Sequence, residues 1–237
     1  RKESPGLNQA LNEWITKRKL SNENNLAYTK YFKKKKKTGG RGEGRFISLN
    51  NGRISEYDEL IQQYSTKIDW DWQLLASLIC QESRFSPTAR SWAGANGLMQ
   101  LVPATAKRYG LDTIDNTAEQ SIIAGTSYIL DLERFWKKHI KDKNERLKFV
   151  LASYNAGMGH VIDARNLAKK YGKDPNIWYD NVDYMLLQKS NPQIYNDPVV
   201  KCGYCRGQET YAYVKEILGR YERYKTLTAP KPALVQN

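Results

Sequence analysis

From Ser55 to Lys225 the sequence is a succession of helix signals with no alternating strand series between them, which confines this part of the chain to a mainly α class. Ser55, with Asp58 three positions on, opens a helix through about Lys67. Trp72 to Phe85 forms a second, with Leu75, Leu78, Ile79 and Glu82 along one face. Pro103 begins a short helix that Gly110 ends. Thr117 and Gln120 make a capping box for a long helix to about Lys138. Asn144 opens another through Asn155, and a further helix runs from about Gly159 to Tyr171, closed by Gly172. Val182–Gln188 is short, and Glu209–Lys225 is the last strong helix.

Charge divides the chain more sharply than length does. The 237 residues carry a net +13. Residues 1–45 hold 13 Lys/Arg and 4 Asp/Glu, a net of +9, leaving +4 for residues 46–237. The basic residues concentrate in Lys33–Lys37 and the Gly-rich run that follows, to Arg45. Like charges beside repeated glycines cannot bury a core, so this stretch reads as a linker, or as a polybasic tether to an anionic polymer or lipid. A nucleic-acid binder would spread such charge over a folded face, so a nucleic-acid partner is not expected. Residues 1–32 carry one amphipathic stretch, too short to form a core alone. Asn51-Gly52 signals a turn, and a small hairpin fits residues 46–54. The expected organisation is a remnant segment at 1–32, a linker at 33–45, a catalytic domain at 46–228 and a flexible tail at 229–237. No run of about 18 apolar residues is present. The chain opens Arg1-Lys2-Glu3 and reads as an internal fragment or a processed product.

Glu82 is the residue most suggestive of chemistry. It follows Leu78 and Ile79 on an apolar face, near the C-terminal end of its helix. Burial and the negative end of the helix dipole both disfavour the ionised carboxylate. Together they describe a carboxyl that keeps its proton near neutral pH, as a general acid must. A frayed helix end with Glu82 simply exposed is the competing reading. Between this helix and the next lies a loop with Ser91, Gly94, Gly97, Met99 and Gln100. Its glycines permit turns that other residues resist, and Gln100 offers both a donor and an acceptor. Met99 reads equally as an adaptable ligand contact and as core. Trp70, Trp72, Trp92, Trp136 and Trp178 include candidate sugar platforms, although most read as core.

Three separated motifs then carry a resemblance. Glu82-Ser83, Ser91, Gly94-Ala95, Gly97-Leu98-Met99-Gln100, Pro103 and Thr105-Ala106 resemble the signature of soluble lytic transglycosylase catalytic domains. A second segment of that family is matched at Ala152–Gly157 with Gly159 and Val161, and a third at Arg206-Gly207, Glu209-Thr210 and Tyr213-Val214. Order and spacing agree over about residues 70–225. Residues 1–33 are similar to the tail of a family 3 solute-binding module, and the pairing resembles membrane-bound members of the transglycosylase family.

The resemblance implies a lysozyme-like helical domain that cleaves the β-1,4 bond from N-acetylmuramic acid to N-acetylglucosamine in peptidoglycan. The implied product is a 1,6-anhydromuramyl end. Glu82 matches the family's single acid/base. Ser91, Gln100 and Tyr154 match positions lining the sugar site, Met99 and Asn155 stand in the same motifs as substrate-binding candidates, and Glu209 matches a carboxylate near the cleft. The expected enzyme uses no cofactor and no metal, takes glycan strands as its partner and acts as a monomer. It is expected in the periplasm, held at the outer membrane through a part outside this chain. Two other readings stand beside it: a muramidase that uses water, as goose-type lysozymes do, and a peptidoglycan-binding module without turnover. Cys202 and Cys205 have CxxC spacing but no second pair, and His139 and His160 lie far off, so zinc is not expected. A disulfide and two free thiols both remain open for them, and Cys80 reads as a buried small hydrophobe.

Overall fold

The computed structural model describes residues 52–111 and 116–229, together with Gly6 and Glu13. The chain divides into two units, residues 1–47 and 48–237, and the elements described below all belong to the second. Apart from Gly6 and Glu13, the expected remnant at 1–32 and linker at 33–45 lie outside the described residues. So do most of the expected 46–54 hairpin and the tail from residue 230.

The described part is helical, with isolated β-bridges pairing Arg90 with Asn96 and Asn96 with Leu101. The helices are α1 (Asp58–Lys67), α2 (Trp72–Ser83), α3 (Pro103–Arg108), α4 (Ala118–Lys137), α5 (Lys143–Ala156), α6 (Met158–Lys170), α7 (Asp183–Gln188), α8 (Pro192–Tyr195) and α9 (Gly207–Thr228). An irregular turn at Trp178–Val182 leads into α7.

Local chemistry sets the boundaries. α1 begins at Asp58 rather than at Ser55, because the Asp58 carboxylate reaches back to the Ile54 and Ser55 N–H groups, each at 2.8 Å. Thr117 and Gln120 form the expected capping box: Gln120 N–H donates to Thr117 Oγ1 at 3.1 Å, and Thr117 N–H to Gln120 Oε1 at 2.9 Å. α2 stops at Ser83, two residues before the expected end, since Arg84 and Phe85 both adopt left-handed backbone (φ 52° and 61°). That reversal drives Phe85 into the core and leaves Glu82 in the last turn of its helix.

α5 runs through the centre. Phe149, Val150, Leu151, Ala152 and Ser153 are consecutive and all buried, as a helix enclosed on every side must be. α5 packs on α4, α6 and α9, and α9 packs on α2 and α7 as well. Leu75, Leu78 and Ile79 of α2 and Val214 and Ile217 of α9 are all buried, and the two helices pack on each other, each such side chain contributing roughly 1.5–3 kcal/mol. Polar bonds fix the register of this pair. Ser77 Oγ donates to Ile217 O at 2.7 Å, and Arg220 donates to Ser77 O at 3.1 Å and Gln81 Oε1 at 3.0 Å.

The loop before α9 is held by a buried ion pair. Lys189 Nζ lies 2.7 Å from Asp163 Oδ2, and both side chains are essentially without solvent exposure. Asp163 also accepts from the N–H groups of Lys201 and Cys202. Removing one partner of such a pair typically costs about 3–5 kcal/mol. Cys202 and Cys205 are free thiols, the first exposed and the second buried, and Cys80 is half-buried rather than enclosed.

Candidate active site

The connection between α2 and α3 is a tied loop. Ser91 N–H donates to Ala95 O at 2.9 Å, Ala95 N–H returns to Ser91 Oγ at 3.0 Å, and Gly97 N–H donates to Ala89 O at 3.1 Å. Gly97 has φ 78°, and a Cβ there would sit 2.9 Å from both Ser121 Oγ and Asn116 Oδ1. Only glycine satisfies both the conformation and the space. Gln100 takes φ 48° without being glycine, a backbone cost of about 1–2 kcal/mol. Its side chain offsets this, with Nε2 donating to Gly97 O at 2.8 Å and Ala89 O at 2.9 Å.

This loop, the end of α2 and the end of α5 enclose a cavity of about 280 Å³. Glu82, Gln100, Tyr128, Tyr154 and Asn155 supply its polar wall, with Leu101, Val102 and Ala156 among its apolar neighbours. Gly157 ends α5 with φ 89°, so the helix stops at the cavity edge and delivers Tyr154 and Asn155 there. Tyr128 and Tyr154 lie with ring centroids 5.2 Å apart over the Leu101, Ala106, Leu111 and Ala124 cluster.

Glu82 is the one carboxylate among the described residues on the cavity wall. Burial raises its pKa from 4.5 to about 7, and the hydroxyl of Tyr213, which donates to Glu82 Oε1, pulls the other way. Desolvation wins because, among the described residues, no cation pairs with the carboxyl, and a single neutral hydrogen bond cannot replace lost water. The carboxyl is therefore part-protonated near neutrality and can either give or take a proton there. Burial also raises the phenol pKa values of Tyr154 and Tyr213, and the Glu82 charge reinforces it, so both remain neutral donors.

Four of the expected site residues come together here: Glu82, Gln100, Tyr154 and Asn155. Three lie elsewhere. Ser91 is a half-buried staple of its own loop, through the bond to Ala95 N–H. Met99 is fully buried, and its thioether packs against Gly125, where a Cβ would come within 2.4 Å of the sulfur. It supports the wall from behind, as its carbonyl accepts from Tyr154 Oη at 2.7 Å. Glu209 is exposed in the first turn of α9, off the cavity wall. Among the described residues no tryptophan lines the cavity: Trp70, Trp136 and Trp178 are buried, Trp72 is half-buried, and Trp92 is fully exposed on its turn.

Tyr213 is the site residue that motif reading left without a role. It stands with Thr210, Val214 and Ile217 on the buried stripe of α9. A tyrosine on such a stripe needs a partner for its hydroxyl, which is a legible signal; the partner, 131 positions away, is not. Thr210 was equally silent, and its hydroxyl donates to Asn155 Oδ1 at 2.7 Å.

Known proteins resemble most of this chain. The family model described as the transglycosylase SLT domain matches residues 59–177. The membrane-bound lytic murein transglycosylase F of Desulfosudis oleivorans is 40% identical over 174 residues, covering 73% of this chain and 37% of the relative. The protein of the same name from Maricaulis maris is 38% identical over 186 residues, covering 78% and 39%. The chain thus spans less than half the length of these relatives. Among solved structures, the 70 kDa soluble lytic transglycosylase SLT70 from Escherichia coli superposes with a TM-score of 0.50 at 22% identity, covering 82% of this chain and 27% of that one, a likeness of fold.

Proposed function

Because the chain belongs to the transglycosylase SLT domain family, we propose that it cleaves the N-acetylmuramic acid to N-acetylglucosamine β-1,4 bond of peptidoglycan and leaves a 1,6-anhydromuramyl end. The observation that carries this reading is the solitary, desolvated carboxyl of Glu82 on the cavity wall. Most hydrolytic glycosidases use two carboxyl groups, roughly 5–9.5 Å apart, one to donate a proton and one to activate water or attack carbon. With one carboxyl among the described residues on the wall, the muramyl C6 hydroxyl is the nucleophile this reading assigns in place of water.

In this chemistry protonated Glu82 gives its proton to the glycosidic oxygen as the C1–O bond breaks. Positive character develops at the muramyl C1 beside the new carboxylate. Glu82 then takes the proton of the C6 hydroxyl as that oxygen bonds to C1. The proton returns to Glu82, one C–O bond replaces another, and no water is consumed. Acid–base help of this kind supplies about 10²–10⁴-fold. Tyr213 keeps the carboxyl aimed and stabilises its ionised half-cycle. Tyr154 holds the Gln100 loop through Met99 O, and Gln100 and Asn155 contact the sugar.

The relatives' names describe membrane-bound lytic murein transglycosylases. No helix among the described residues is long and apolar enough to cross a membrane. From those names we infer a periplasmic domain attached to the outer membrane. The test is digestion of purified sacculi followed by mass spectrometry of the soluble products. Anhydro ends, one water lighter than reducing ends, are expected; reducing ends would identify a muramidase, and binding without release a non-catalytic module.

A further inference from the structure

Two carboxamides face the cavity, and the groups behind them fix their polarity in opposite senses. Gln100 gives Nε2 to two backbone carbonyls, which only accept, so its Oε1 is the end left for a ligand. Asn155 is held differently. Thr210 Oγ1 lies 2.7 Å from Asn155 Oδ1, and of two oxygens so close only the hydroxyl can supply the proton. Thr210 is itself buried, 2% exposed, in the face of α9 that packs on α5. With Oδ1 committed, Nδ2 is the end of Asn155 available to the cavity.

We propose that Thr210 is a positioning residue, which locks the Asn155 carboxamide as a hydrogen-bond donor towards the acetamido carbonyl of the sugar bound beside Glu82. The proposal rests on the peptidoglycan reading for the sugar's identity, while the polarity rests on the geometry alone. An acetamido group carries one acceptor and one donor, C=O and N–H. The cavity presents the complementary pair, a donor at Asn155 and an acceptor at Gln100. A site built to bond a polar group rejects the analogue lacking it far more strongly than an apolar pocket would. A freely rotating Asn155 would spend part of its time offering oxygen to oxygen, so the lock sharpens discrimination without touching the ligand.

The test measures, by calorimetry on the Glu82→Gln protein, affinity for an N-acetylglucosamine tetramer and for its de-N-acetylated counterpart. Thr210→Val is expected to weaken the acetylated tetramer about tenfold and leave the deacetylated one within about twofold. Thr210→Ser, which keeps the hydroxyl, is expected to restore the acetyl preference. Asn155→Asp keeps an oxygen for Thr210 and removes the cavity donor, so it is expected to lose the acetylated tetramer at least tenfold while its melting temperature holds. Equal behaviour of Thr210→Val and Thr210→Ser, an equal loss for both tetramers, or retained acetyl preference in Asn155→Asp would each overturn the assignment. Sacculus digestion by the unsubstituted protein separates the two claims. No released product with a Thr210-dependent acetyl preference removes the enzymatic reading alone; release with an indifferent Thr210→Val removes only this one.

Discussion

The hydroxyl of Tyr213, on α9, donates to Oε1 of Glu82, in the last turn of α2. The two helices pack against each other along the core, so the bond couples the acid to the most extensively packed helix pair in the domain. It is also the one interaction that lowers the Glu82 pKa against the burial that raises it.

Tyr213→Phe should therefore raise the Glu82 pKa above about 7 and shift the alkaline fall in kcat/KM to higher pH. The same change leaves the ionised carboxylate short of a donor, so kcat should drop by roughly tenfold, on the order of one charge-assisted hydrogen bond. A pH–rate series on both proteins checks the direction, and an unmoved or acid-shifted limb would count against the coupling.

Glu82 should lower stability as pH rises. Its folded pKa, about 7, lies above the ordinary 4.5, so between these values the native state binds more protons than the unfolded one. Stability is lost progressively across that window, to a total of about 3 kcal/mol above pH 7. Glu82→Gln should be more stable than the parent at pH 8 by an amount of that order and indistinguishable from it near pH 4. Denaturant unfolding at the two pH values measures the difference; a gain at pH 4 as large as at pH 8 would contradict a desolvated acid.

Gly97→Ala should destabilise the domain by about 2 kcal/mol or more. The left-handed φ costs a β-carbon about 1–2 kcal/mol, and that carbon would crowd Ser121 Oγ and Asn116 Oδ1. Since Gly97 O also anchors Gln100 Nε2, sacculus cleavage should fall further than stability does. Thermal melts beside activity assays read both, and a neutral substitution would show that the loop tolerates another path.

Much of the helical scaffold was legible because its signals are local. The Thr117–Gln120 capping box, Pro103 at a helix start and Gly172 at φ 71° after α6 act on their own neighbours, and sequence shows neighbours. The apolar face that carries Leu78 and Ile79 likewise anticipated a carboxyl in poorly solvated surroundings, since face and helix end are both properties of α2, although Glu82 itself is half-buried rather than enclosed. Illegible features arise between elements. Met99 stands in the motif beside Gln100, yet left-handed backbone at Gln100 sends the two side chains apart, one into the core over Gly125 and one to the cavity. Ser91 and Glu209 carry suitable chemistry in the right order, but the first serves its own loop and the second faces solvent. Tyr213 and Thr210 acquire their roles only when α9 packs on α2 and α5.

Tyr154→Phe should cost about 1–3 kcal/mol, because the Met99 carbonyl loses the 2.7 Å bond from the phenol hydroxyl and stays buried. The rate of cleavage should fall further than that loss alone explains, since Met99 O and Gln100 are adjacent and the loop would loosen at the cavity wall. Melting temperature beside kcat separates the two effects; an undiminished rate in a destabilised protein would assign Tyr154 to structure only.

The claim that one carboxyl performs both proton transfers is tested most directly by digesting sacculi in heavy-oxygen water, with the unsubstituted protein and with Glu82→Gln. The expected result is release of muropeptides whose muramyl ends carry no solvent oxygen, and no release by the folded Glu82→Gln protein. Heavy oxygen at the muramyl C1, or full release without the Glu82 carboxyl, would contradict it.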